Sequence, residues 1–405
     1  MDEKETIDLT GQNNINKYFY RAYKFLLALI WGQFFIFQYI RVFSTRILGS
    51  TSNSEFLMQV LFVVFAVLSL PYITKNIRKK DLILLIVLIL VYMVYTAFFP
   101  DNRLYLDSKM SNICLVILPL YFVGLNFNAE KELDLLYFIS VLNIISHLFY
   151  VLVYSNAMSE IDSLYVGNMD AAYKILPHVC LAIVYAFRKP GIFKTIIALS
   201  SSIYLISCGS RGPVVIAIFF TLYYSLFIRK YKLKKLAYFL IILSICIILI
   251  FFDSIVEWLE TVATNMGMSV RIFDKMSNDM FWDSSGRDEI SKKLLEAIKE
   301  NPAIGYGIGG DYTLVGTYAH NILIECWVSY GVIIGTLLMI LAVSILYKAL
   351  KRAPSEDEKA IIFILLCSSF IKLFFSGTYL NETYFMFLFG ICVGTIRRNK
   401  KIIME

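Results

Sequence analysis

The stretch Tyr318-Ala319-His320-Asn321, followed without a break by ILIECWVSYGVIIGTLLMILAVSIL from Ile322 to Leu346, decides the fold. About 20 apolar residues at a rise of 1.5 Å each suffice to cross the ~30 Å hydrocarbon core of a bilayer. The run beginning at Ile322 therefore reads as one transmembrane helix. The YAHN segment before it closes a polar stretch, 253–319, the one long polar stretch in the chain. His320 and Asn321 fall at the junction, where a side chain faces water while backed by hydrocarbon.

Outward from that junction, apolar runs recur near 25–42, 56–74, 82–99, 110–125, 133–154, 171–187, 192–208, 212–228, 236–252, 322–347, 360–375 and 380–396. The chain is 58% hydrophobic and 17% charged, with a mean hydropathy of +0.67. Soluble domains carry about a quarter charged residues. The expected fold is an all-α polytopic membrane protein of about 12 transmembrane helices, with its large extracytoplasmic loop between helices 9 and 10. Residues 1–17 are polar, so no cleavable signal is expected.

A net charge of +7 could suggest a nucleic-acid partner, but its distribution excludes one. With the N-terminus inside, most of the 38 basic residues fall on the same side, as in Lys17, Arg21 and Lys24, Arg78 to Lys80, Lys230 to Lys235, and Arg397 to Lys401. Short cytoplasmic loops carry such an excess. Both termini are then cytoplasmic, and the loop 253–319 and Arg211 face outward. The seven cysteines lie in or beside the spans without a CxxC pair. They read as small hydrophobes, and neither a disulfide nor a metal site is assigned.

No period repeats and no Pro/Gly/Ser-rich linker divides the chain, so residues 1–405 read as a single membrane domain. Within the outer loop, about 286–300 has helical logic. Ile290, Leu294, Leu295 and Ile298 form a stripe, and Asp288–Lys292 and Glu289–Lys293 are i,i+4 pairs. Ser284 or Ser285 can cap its start, and Asn301-Pro302 ends it. Such a helix lies on the bilayer or against the bundle, or else packs within its own loop. Gly305, Gly307, Gly309 and Gly310 follow, a run that permits close backbone approach to a ligand or serves as a connector. It is not a nucleotide loop, because the Lys-Ser/Thr ending is missing.

Three features could carry chemistry at the outer face. Arg211, in Ser210-Arg211-Gly212-Pro213, sits in a turn too short to leave the interface; it is either a phosphate clamp or a snorkelling helix-end arginine. Arg287 opens the loop helix, where an acid would be expected, and reads as an anion ligand or a local ion pair. His320 is one of three histidines and the one placed at the outer surface. An imidazole with a pKa near 6.5 can take a proton from a hydroxyl. His147 and His178 fall within spans and are expected to pack or bridge helices, and Lys174 is expected to have either a partner, for which Asp170 is close in sequence, or an aqueous cavity. Asp253, Glu257, Glu260, Asp274, Asp279 and Asp283 look like solvated loop charges.

In that order, Ser210-Arg211-Gly212-Pro213, Ser285-Gly286-Arg287, Asn301-Pro302, Gly305-Tyr306-Gly307-Ile308-Gly309, His320-Asn321 and Gly331 resemble the O-antigen polymerase and ligase superfamily. The resemblance covers about residues 200–345. It implies a metal-independent, cofactor-free glycosyltransferase of the bacterial cytoplasmic membrane. The implied donor is a glycan on undecaprenyl diphosphate, the acceptor a glycan hydroxyl, and the partners a chain-length regulator and a flippase. Arg211 and Arg287 would bind the diphosphate, His320 would orient or deprotonate the acceptor hydroxyl, and Asn321 would help hold the loop or the sugar. Asn321, Gly307 and Gly309 would line the substrate. The chemistry is coherent, because arginines can stabilise a leaving diphosphate. Polymerase is the expected activity. The alternatives are ligation to lipid A-core and, in a different class, a flippase or transporter, which twelve spans also suit.

Overall fold

Inside hydrocarbon every backbone N–H and C=O must be satisfied by the chain itself, and helices do this segment by segment. The computed structural model describes residues 3–32, 52–154, 169–208, 210–228 and 286–404, with Glu257, Trp258, Thr261, Thr264 and Asn265, and these are helical without strands. The span expected at 236–252 and most of the loop before Gly286 lie outside the described residues.

The helices run α1 (Glu3–Trp31), α2 (Ser52–Ile73), α3 (Lys79–Phe98), α4 (Arg103–Asn112), α5 (Leu118–Asn126), α6 (Ala129–Tyr154), α7 (Met169–Arg188), α8 (Ile192–Ser207) and α9 (Arg211–Tyr223). After the loop come α10 (Arg287–Glu300), α11 (Gly310–Val315), α12 (Ile322–Arg352), α13 (Glu356–Leu365) and α14 (Thr383–Met404). Among the described residues four helices are long and apolar enough to cross a membrane: α3, α7, Arg211–Ile228 and α12. A fifth candidate joins Pro100–Met110 to Ile113–Asn126 through a 53° bend. That bend falls at the start of the expected span 110–125, one of the two shortest.

The chain divides into two compact units. The first holds residues 1–136, 286–354 and 373–405. In it α1 packs on α2, α14 on α5, and α12 on both α14 and α10. One end is tied by a buried charge pair. Asp81, 2% exposed, accepts from Arg397 Nη1 and Nη2 at 2.7 and 2.6 Å, and Tyr121 Oη donates to it at 3.0 Å. Removing one partner of such a pair leaves an uncompensated buried charge, which is costly.

The second unit holds residues 137–285 and 355–372. Here α7 packs against α8, α9 and α13. His178, fully buried, meets Ser140 Oγ at 3.0 Å through Nδ1 and Asn143 Nδ2 at 3.1 Å through Nε2. The Asn143 amide donates, so Nδ1 carries the proton and donates to Ser140. His147 Nδ1 lies 3.3 Å from Tyr204 Oη. Both histidines bridge helices, and Lys174 pairs with Asp170 at 2.6 Å.

Candidate functional site

α10 begins on Gly286, whose φ of 82° is left-handed and natural to glycine. Ser284 and Ser285 lie outside the described residues, and no side chain caps this start. Two acids, Asp288 and Glu289, fill the first turn beside Arg287, as the helix dipole favours. Leu294 and Ile298 are buried in a cluster with Ala319, Ile324 and Val328, while Leu295 is exposed. The helix thus lies against α12, and its stripe is narrower than the sequence suggests. Arg287 Nη1 donates to the carbonyl of Phe375 at 2.7 Å.

The segment after α10 is locked into a break in α12. Gly331 takes φ 77° and ψ 165°, which frees the groups on either side of it from helical bonding. Val332 N donates to Pro302 O at 2.8 Å, and Tyr306 N donates to Val328 O at 2.7 Å. The backbones approach so closely that a Cβ on Gly305 would strike Val328 O, and one on Gly331 would strike Ala303 O. Gly331→Ala is therefore expected to lower the melting temperature of the detergent-solubilised protein. The backbone strain alone is worth about 1–3 kcal/mol. Melting unchanged from wild type would show that the interlock carries no stability.

Gly307 and Gly309, expected at the substrate, face aromatic rings. A Cβ on Gly307 would meet Phe99 at 2.6 Å, and one on Gly309 would meet Tyr105 at 2.9 Å. Their small size lets the loop settle against Phe99 and Tyr105. Asn102, 3% exposed, holds it there by donating to Tyr306 O at 2.8 Å and accepting from Thr313 Oγ1 at 2.7 Å.

His320 is half-buried, with its ring 4.2 Å from that of Tyr318. Among the described residues it is the one non-glycine with positive φ, 56°. That conformation costs on the order of 1–3 kcal/mol and concentrates at functional sites. Its Nδ1 is buried without a hydrogen-bond partner among the described residues. Burial, and then the charge of Arg287, push the imidazole pKa down from 6.5 to about 4. Arg287 and His320, 33 residues apart in sequence, are thus near enough for one charge to act on the other. The imidazole is neutral at pH 7 and able to accept a proton.

Asn321 is the N-cap of α12, its Oδ1 accepting from Leu323 N at 3.0 Å and Ile324 N at 3.4 Å. In this geometry it fixes the backbone directly after His320. Two carboxylates lie deeper. Asp311, 2% exposed, accepts from Ala319 N through Oδ2 at 2.9 Å, and burial pushes its pKa up. Glu325, 1% exposed, takes a hydrogen bond from the Thr378 hydroxyl, while its Oε2 and the Ser329 hydroxyl have no partner among the described residues. Glu325 had a readable signal, an acid inside an apolar run. Asp311 had none, because its burial is a product of the loop's packing.

Arg211 belongs to the second unit. It is half-buried and opens α9 behind an extended Ser210, and Gly212 lies against the Tyr173 hydroxyl of α7.

The stretch that carries these residues has relatives. Residues 196–340 match the O-antigen ligase family model. The matched stretch takes in Arg211, Arg287, Gly307, Gly309, His320 and Asn321. O-antigen ligase family members are membrane glycosyltransferase-like enzymes. The apolar helices indicate an integral membrane protein. No curated protein and no solved structure matches the chain.

Proposed function

We propose that the protein is a metal-independent polymerase. It joins undecaprenyl-diphosphate-linked repeat units into O-antigen, capsular or exopolysaccharide at the outer face of the bacterial cytoplasmic membrane. The single observation that carries this reading is a half-buried imidazole held on a strained backbone, within reach of the Arg287 charge in the same unit. The family match supports glycan transfer in general, and the basic rows of the sequence support cytoplasmic termini with the site outward.

In this reaction His320 takes the proton of the acceptor hydroxyl as its oxygen bonds the donor's anomeric carbon. The bond from that carbon to the diphosphate breaks, and undecaprenyl diphosphate leaves carrying the electron pair. Arg287 faces the charge that develops there, and guanidinium matches phosphate oxygens two at a time. We assign Arg211 the same task on sequence grounds. Asn321 holds the loop that presents His320. Ligation to lipid A-core uses the same chemistry on another acceptor.

The test is reconstitution into liposomes with an undecaprenyl-diphosphate oligosaccharide. A ladder of lengthening lipid-linked glycans is expected, and product formed solely when lipid A-core is added would assign ligation instead. The pH profile carries a second expectation. Protonated His320 cannot act as base, so kcat/KM should fall with decreasing pH through about 4. A bound diphosphate neutralises Arg287 and adds negative charge, which raises the imidazole pKa. The acid limb of kcat should therefore lie at higher pH than that of kcat/KM. Coincident limbs would mean that His320 does not sense the donor.

A further inference from the structure

His320 is held in its left-handed conformation from both sides. On the C-terminal side Asn321 is fixed as the cap of α12. On the N-terminal side the residue next to His320 is Ala319, 1% exposed, and its N–H is taken by Asp311 Oδ2 at 2.9 Å. The bond spans eight residues, from the first turn of α11 to the residue before the histidine, and Gly316 (φ 75°) turns the chain between them. A strained backbone persists only where its surroundings over-determine it.

The anchor is itself anchored. α11 is pinned by Thr313 Oγ1, which donates to the buried Asn102 at 2.7 Å. It is also pinned by Tyr312, stacked on Tyr105 at 4.3 Å between centroids and 12° between planes. A continuous path therefore runs from α4 and its entry turn through α11 and Asp311 to the backbone of Ala319.

We infer that Asp311 is a positioning residue for His320, setting the imidazole by gripping the Ala319 N–H and touching neither substrate nor the reacting atoms. The inference rests on the reading of His320 as the base, and it goes beyond that reading by naming what aims the base. Because the grip is on a backbone donor, an acceptor oxygen at that place is what matters. Asp311→Asn keeps one, and Asp311→Ala removes it. A misplacement of about 1 Å can cost on the order of 100-fold in rate.

The experiment measures kcat, KM for the lipid-diphosphate donor, and the pH profile in proteoliposomes, with thermal melting in parallel. Asp311→Ala is expected to lose about 10- to 100-fold in kcat with KM within about twofold of wild type. Asp311→Asn is expected to retain at least about a third of wild-type kcat, with the acid limb of the profile unmoved. Asp311→Ala at wild-type kcat overturns the inference, as does a raised KM with unchanged kcat. Where Asp311→Ala fails to accumulate, Asp311→Asn decides alone. Inserted but inactive, it would show that the charge is needed and the positioning role wrong. His320→Ala, assayed beside them, separates the two readings. If it stays active, the base assignment fails, whereas an inactive His320→Ala with a fully active Asp311→Ala sinks the positioning role by itself.

Discussion

His320→Ala is expected to leave no long-chain polysaccharide on a gel of surface glycans, while the protein still accumulates and inserts. Loss of a general base costs about 100- to 10,000-fold. Chain growth needs many transfers, so even the lower figure should empty the upper part of the ladder. The half-buried imidazole is neutral at pH 7 and so able to take a hydroxyl proton. His320→Gly sharpens the test, because it removes the imidazole and relieves the φ of 56° together. Left-handed backbone costs a non-glycine residue roughly 1 kcal/mol or more. His320→Gly should therefore melt no lower than His320→Ala and be equally inactive. Such a pair separates function from stability, since the more comfortable backbone would belong to a dead enzyme. Long-chain polymer in either variant would remove His320 from the reaction.

The second large effect is expected at Arg287. Arg287→Lys keeps the charge but not the fork of donors, and a single ammonium cannot reproduce both the bond to Phe375 O and a two-point grip on phosphate. Each lost charge-assisted hydrogen bond is worth about 1.5–3 kcal/mol, so kcat/KM should fall by on the order of 10- to 100-fold. The acid limb of the profile should stay where it is, because the cation that acts on His320 remains. Arg287→Gln should differ in that respect. With the cation gone, the imidazole pKa rises, and the limb moves to higher pH. The shift is partial, since burial, the larger cause, is untouched. Normal chain length in Arg287→Lys would reduce Arg287 to a local structural contact. An unmoved limb in Arg287→Gln would show that its charge does not reach His320.

Much of this site was legible in the chain. The junction at Tyr318–Asn321 needs no more than the period and length of the apolar run after it. The two inward histidines and the Lys174–Asp170 pair followed from their positions within spans. The start of α10 at Arg287 and its end at Glu300 followed from the stripe and from Asn301-Pro302. Other features were not legible, because they depend on which surfaces meet. Leu294 and Ile298 face α12 while Leu295 does not, a choice made by the angle at which two helices cross. The glycines after α10 permitted close approach to a ligand or a plain connector, and their packing against the kink at Gly331 and the rings of Phe99 and Tyr105 was in neither reading.

The sequence by itself determined a helical membrane protein with a histidine just before a long apolar helix, because apolar run length and local capping are properties of adjacent residues. Tertiary structure alone decided that Arg287 lies near His320, that Asp311 is buried on the Ala319 N–H, and that Glu325 meets Thr378. Each of these joins positions separated by 8 to 53 residues. Such contacts exist once helices pack and desolvate what lies between them, and that energy is a property of pairs of surfaces that no single stretch of chain contains.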